Sequence, residues 1–139
     1  MKYFAIEPEV AGGLGRDTVL DRSTHPPVVT KLHYEFQGWL GDEVVESFPC
    51  YLISTRLRDV IKKSRFSGVK FSDATVTTSP EFQQLHPDAT LPEFVWLQVV
   101  GKPGKDDFGI SADHRLVASE RAFNVLALQH LASVEDYSI

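Results

Sequence analysis

Hydrophobic and polar residues alternate in several short runs, and the runs predict strands more often than helices. Lys2 to Glu7 alternates around Tyr3, Phe4 and Ile6 and ends at Pro8, which reads as a short strand. Val10 to Pro27 is broken by Gly12, Gly13, Gly15, Pro26 and Pro27, so a long irregular surface connector is expected there, pinned by Leu14, Val19 and Leu20. From about Val28 to Gln37, Leu32, Tyr34 and Phe36 alternate with Lys31, His33 and Glu35, the signature of a half-buried antiparallel strand. Gly38 to Asp42 reads as a turn that places Trp39 near the surface, and Val44 to Ile53 resumes an extended pattern.

Helical spacing first appears at Leu57, Val60 and Ile61, in a helix capped by Thr55 and closing near Gly68. Val69, Phe71, Ala74 and Val76 return to strand character. Ser79 with Pro80 opens a short helix through Leu85, which Pro87 ends. Phe94 to Val100 is aromatic and β-branched and is followed by a Gly-Lys-Pro-Gly turn, which predicts a central strand. A polar loop over Asp106 to Asp113 and a short extended segment at Leu116 and Val117 come next. Ser119 then caps a helix from Glu120 to about Leu131, with Ala122, Val125 and Leu126 facing inward. Strands and helices mixed in this order predict one α+β domain over residues 1–139: a mainly antiparallel twisted sheet covered by two longer helices and one short helix.

Composition adds that the chain is an ordinary globular one, 42% hydrophobic and 24% charged in 139 residues, long enough for one apolar core. Cys50 is the single cysteine and sits among Phe48, Pro49, Tyr51 and Leu52, so it reads as a buried apolar residue in a reducing compartment. Glu7 and Pro8 interrupt the stretch a secretory signal would need, and no run approaches a membrane span. The expectation is cytoplasmic, without a membrane partner.

Charge is uneven. Between Ser54 and Lys70, six Lys and Arg side chains face one acid, Asp59; this local +5 leaves −10 for the remainder of a chain whose total is −5. An acidic surface repels phosphates, which speaks against nucleic acid as the partner and favours a basic protein. The basic helix, residues 55–66, with Arg58, Lys62 and Arg65 opposite Leu57 and Ile61, is the one element suited to a nucleic-acid-binding alternative.

Candidate chemistry is sparse. The segment Ala-Gly-Gly-Leu-Gly-Arg-Asp at residues 11–17 lacks the lysine and hydroxyl of a phosphate-binding loop and the glycine spacing of a dinucleotide fold. The five histidines, His25, His33, His86, His114 and His130, lack metal-ligand spacing, so no metal site and no cofactor are expected. A Cys50–His nucleophilic pair needs an exposed, activated thiolate, which an apolar stretch does not supply. Asp106, Asp107 and Asp113 lie close to His114 in sequence, and a carboxylate beside an imidazole serves acid/base or metal-assisted hydrolysis. A small hydrolase or phosphodiesterase using Asp106, Asp107 and His114 is therefore an alternative to binding, although a hydrogen-bonded turn accounts for the same residues.

Two stretches, PPVVTKLHYEFQGWLGDEVVESFPC and LPEFVWLQVVGKPGKDDFGISADHRLVASERAFNVL, resemble the bacterial immunity proteins of immunity family eleven, formerly a domain of unknown function. The resemblance spans nearly the whole chain. Its most specific part runs from the Leu-Pro start and aromatic strand through the Asp-Asp-Phe-Gly loop to the Ser-Glu-Arg-Ala that opens the last helix. Members are associated with polymorphic toxin loci. The resemblance thus implies a non-enzymatic cytoplasmic antitoxin that binds and neutralises a cognate toxin domain encoded by a neighbouring gene. A nuclease toxin with a basic cleft would suit the acidic balance. On composition, the expected contacts are Trp39 as an aromatic anchor with Asp42, Glu43, Asp106 and Asp107 as charge contacts.

Overall fold

Thirteen strands and three helices make up the computed structural model, which describes residues 2–138. They run β1 (Tyr3–Glu7), β2 (Gly12–Leu14), β3 (Val19–Asp21), β4 (Val28–Lys31), β5 (His33–Phe36), β6 (Val44–Ser47) and β7 (Cys50–Ser54) to α1 (Thr55–Ser64). Then follow β8 (Val69–Ser72), β9 (Thr75–Thr78), α2 (Pro80–Leu85), β10 (Phe94–Val99), β11 (Phe108–Ile110), β12 (Leu116–Ser119), α3 (Glu120–Leu126) and β13 (Ser133–Tyr137). The protein is a mixed α+β structure with mostly antiparallel pairing.

The expected single sheet is divided among four. One has the order β11-β12-β1-β13, a second β6-β7-β10-β8, a third β2-β5-β9, and β3 with β4 forms a hairpin. Among the described residues the strand pairings are antiparallel except β5 with β9, where Tyr34 lies beside Val76. The aromatic run at Phe94 does form an interior strand, between β7 and β8.

Strand periodicity builds two apolar layers. In β7, Tyr51 and Ile53 enter one core cluster while Cys50 and Leu52 enter another; in β10, Val95 and Leu97 join the first and Phe94 and Trp96 the second. The central sheet therefore has apolar side chains on both faces, which is why these strands read as continuous hydrophobic runs. The first cluster also takes Ile6 of β1, Leu116 and Ala118 of β12, Leu57 and Ile61 of α1, and Ala122 and Leu126 of α3. The second takes Leu32, Tyr34 and Phe36 with Phe82 of α2. Cys50 is buried there as expected, and burial pushes its thiol up to about 12.

Several boundaries differ from the sequence reading for local reasons. Ser54, not Thr55, caps α1: its backbone is extended and its Oγ accepts the Leu57 N–H at 3.2 Å. The α1 C-terminus turns through a left-handed Arg65 ahead of Gly68. α3 stops at Leu126 rather than near Leu131, because Ala127 adopts a left-handed conformation (φ 49°). The glycine-rich connector is not wholly irregular: Gly12 pairs with Phe36 so closely that a Cβ there would collide with the Glu35 carbonyl oxygen, and β3 lies within the same stretch. Val28 to Gln37 is two strands with Leu32 between them, and Val44 to Ile53 is a hairpin turning at Phe48–Pro49. Phe108 to Ile110 is strand β11 instead of loop. No helix among the described residues is long and apolar enough to cross a membrane.

Candidate functional site

Most of the acidic side chains expected at a partner surface are committed to the fold. Asp42 is 4% exposed. Its carboxylate accepts the backbone N–H groups of Gln129 (3.0 Å) and His130 (2.8 Å), which fastens the loop after α3. Glu43 accepts Ser54 Oγ at 2.7 Å and is paired with Arg56, whose guanidinium holds this carboxyl below its ordinary range. Asp107 is 6% exposed and accepts the Ser67 N–H (3.0 Å), Ser119 Oγ (2.8 Å) and both arms of Arg121. Burial would raise the Asp107 carboxyl, but these donors outweigh it and hold the group below its usual value. Of the expected charge contacts, Asp42 and Asp107 are buried, serving a loop closure and the α3 cap, while Glu43 is partly exposed and braces the α1 cap.

Trp39 is partly buried, with its indole N–H donated to the Asp42 carbonyl at 2.8 Å and its ring edge-on to Phe94. It is an anchor of the Gly38–Asp42 turn. Asp106 is half-buried and accepts the Lys102 N–H at 2.8 Å, closing the turn after β10.

The histidine and aspartates of the hydrolase alternative have separate neighbours. Asp106 faces Lys102, Asp107 faces Ser67, Ser119 and Arg121, and His114 lies against His25 and Phe48. Among the described residues, Asp106, Asp107 and His114 are not grouped within metal-ligand distance of one another. Nothing in this arrangement poises them on one reacting atom. On the basic helix, Arg56 and Arg58 are spent on Glu43 and Asp59, while Lys62, Lys63 and Arg65 are exposed.

Three hairpin tips from three different sheets do meet. His25 is in the β3–β4 connection, Phe48 in the two-residue turn of β6–β7, and His114 in the β11–β12 turn. The His25 ring stacks on Phe48 with centroids 5.8 Å apart, His114 stands edge-on to His25 at 5.4 Å, and it is 6.2 Å from Phe48. Phe48 is 45% exposed, because a two-residue turn leaves it no core to enter. His114 holds a left-handed backbone, φ 65°, in a turn closed by Ser111, whose Oγ accepts the Arg115 N–H at 3.0 Å. Beside the rings opens a groove of about 480 Å³ lined by Leu14, Leu20, Arg22, Pro27 and Pro49. This patch combines an exposed phenylalanine with two imidazoles, and it lies on turns between paired strands.

The local pattern does not single out Phe48, which sits in the apolar stretch around Cys50, or His25. The turn at Phe48–Pro49 and the meeting of three distant turns are products of the tertiary fold.

A second grouping joins Glu9, Asp42 and His130, whose candidate ligand atoms all lie within 4.8 Å of one another. It unites the segment after β1, the Trp39 turn and the loop after α3. Neither Glu9 nor His130 stands out in the sequence, since the three are separated along the chain.

Comparison of the chain with protein-family models, with curated proteins and with solved structures gives no match.

Proposed function

We propose that this protein is a non-enzymatic immunity protein of the bacterial cytoplasm that binds and neutralises a cognate toxin domain, through the patch formed by His25, Phe48 and His114. The observation that carries the reading is the meeting of three hairpin tips in one solvent-facing aromatic cluster. Aromatic side chains, phenylalanine among them, are enriched at interface cores, and their few rotatable bonds keep the entropy lost on binding small. A specific complex needs about 800 Å² from each partner, roughly a tenth of this protein's 7774 Å² surface. The three turns and the adjoining groove supply the centre of such an area, with a polar rim at Arg22, Ser23 and Thr24.

The immunity reading also draws on the motif resemblance and on the acidic balance of −5, which suits a basic toxin surface such as a nuclease cleft. Binding by shape and aromatic contact asks for no catalytic group, and it replaces the acidic contact set around Asp42 and Asp107 with a face built from turns. Co-expression with the toxin domain encoded by the neighbouring open reading frame tests this. The proposal expects restored growth and a co-purifying complex of one copy each; continued toxicity without a complex refutes it.

A further inference from the structure

We infer that Glu9, Asp42 and His130 form a binding site for one divalent transition-metal ion of the zinc class. The three residues offer two carboxylates and one imidazole within 4.8 Å of one another. Glu9 is 5% exposed and Asp42 4%, so both acids lie inside the protein, where a charged group needs hydrogen bonds, an opposite charge or a metal ion beside it.

Glu9 itself supplies the independent pointer. Its Oε2 accepts the Leu40 N–H at 2.6 Å, but its Oε1 is buried and has no hydrogen-bond partner. A buried carboxylate oxygen without a hydrogen bond is costly, and such atoms call for a missing partner. Asp42, by contrast, already accepts the Gln129 and His130 N–H groups, which fixes its carboxylate beside the imidazole. The His130 Nδ1 lies 3.2 Å from Asp42 Oδ1. That spacing suits a hydrogen bond, and it equally suits two donors on one ion, which at metal–ligand distances of about 2.1 Å lie roughly 3.0–3.4 Å apart. With the ion bound at Nδ1, the ring carries its proton on Nε2.

The donor set selects the ion class. Imidazole with carboxylates suits zinc and neighbouring first-row ions better than calcium or magnesium, which take mostly oxygen. His130 is 36% exposed in its side chain, so the site meets solvent on that side and an ion can enter there and complete its shell with water. The ion would tie the segment after β1, the Leu40 turn and the Ala127–Ala132 loop together, a clip that no single element provides.

Isothermal titration of the metal-free protein with Zn²⁺ tests the site, with melting temperature as the second readout. The expected result is one ion per chain, at sub-millimolar or tighter dissociation constant, and a rise in melting temperature of about 10 °C at a free-ion concentration near a hundred times that constant. His130→Ala and Glu9→Gln should each weaken binding at least 30-fold, and His114→Ala should leave it unchanged. Circular dichroism of the variants confirms folding; if Glu9→Gln does not fold, His130→Ala, at a half-exposed position, decides. Absence of Zn²⁺ binding overturns the inference, and so does binding that survives His130→Ala or disappears with His114→Ala, which would place the ion on other histidines.

Discussion

Replacing Asp107 by alanine removes the acceptor on which three segments converge. The carboxylate takes the Ser67 N–H from the turn after α1, the hydroxyl of Ser119 at the α3 cap, and the Arg121 guanidinium. Ser119 is fully buried and its Oγ also accepts the Ala122 N–H, so its hydroxyl proton has Asp107 as its partner. Leaving the buried Ser119 hydroxyl without an acceptor costs about 1–3 kcal/mol, while the N–H of Ser67, an exposed residue, can turn to water and adds about 0.5–1.5 kcal/mol. Arg121 is 62% exposed and remains solvated, so loss of its ion pair adds little. The total expected for Asp107→Ala is therefore about 2–4 kcal/mol, and Arg121→Ala alone should cost much less. Asp107→Asn, which keeps an acceptor but turns an amide N–H₂ toward these donors, should fall between them.

Urea unfolding followed by circular dichroism measures the difference; with a slope of about 1.5–2 kcal/mol/M, Asp107→Ala should lower the midpoint by roughly 2 M. The carboxyl is held below its ordinary range in the folded state, so the stability from its charge is present above the unfolded-state pKa and lost as pH falls through the lower folded value. The gap between wild type and Asp107→Asn should accordingly narrow in acid, below about pH 4. A cost for Asp107→Ala within about 0.5 kcal/mol of zero, or a gap that widens in acid, would refute the assignment of Asp107 as an internal tie.

Glu46 provides the opposite sign. Burial, helped by Glu7, raises its carboxyl to about 7, so the folded protein keeps a proton that the unfolded chain releases, and stability falls as pH rises from about 4.5 through 7. The nominal effect of about 3 kcal/mol is cut by solvent at this half-buried side chain to about 1–2, so Glu46→Gln should raise the melting temperature by about 4–6 °C at pH 8 and leave it unchanged near pH 4.5. Cys50 should resist alkylation in the native protein at pH 8 and react fully in denaturant, since its buried thiol is raised to about 12; fast native labelling would contradict its place in the second core cluster.

Elements whose signals are local were legible in the chain. Ser79 and Pro80 mark the start of α2 and Leu85 its end, and the apolar spacing of Leu57 and Ile61 marks α1. What escaped depends on partners far away in sequence. β13, with its exposed Val134 and its acids, carries little strand pattern; it is extended because its backbone pairs with β1, Val134 opposite Ile6. The end of α3 is set by Ala127 and by Asp42 accepting N–H groups from a loop some ninety residues away. The acids expected at the surface were misplaced for the same reason: composition shows a carboxylate, while its hydrogen-bond donors become visible once the chain is folded. Phe48 illustrates the converse, an apolar residue that looks like core until the hairpin turns beneath it.

The His25, Phe48 and His114 turns meet at the proposed partner-binding face. Calorimetric titration of the toxin domain encoded by the neighbouring open reading frame into wild type and Phe48→Ala tests it most directly, because Phe48 is exposed and its truncation leaves both core clusters untouched. Wild type should form a one-to-one complex, and Phe48→Ala should lose about 2 kcal/mol or more of binding, at least 30-fold in Kd, with an unchanged melting temperature. A Phe48→Ala protein that binds as tightly as wild type, or a wild type that does not bind at all, would contradict the account.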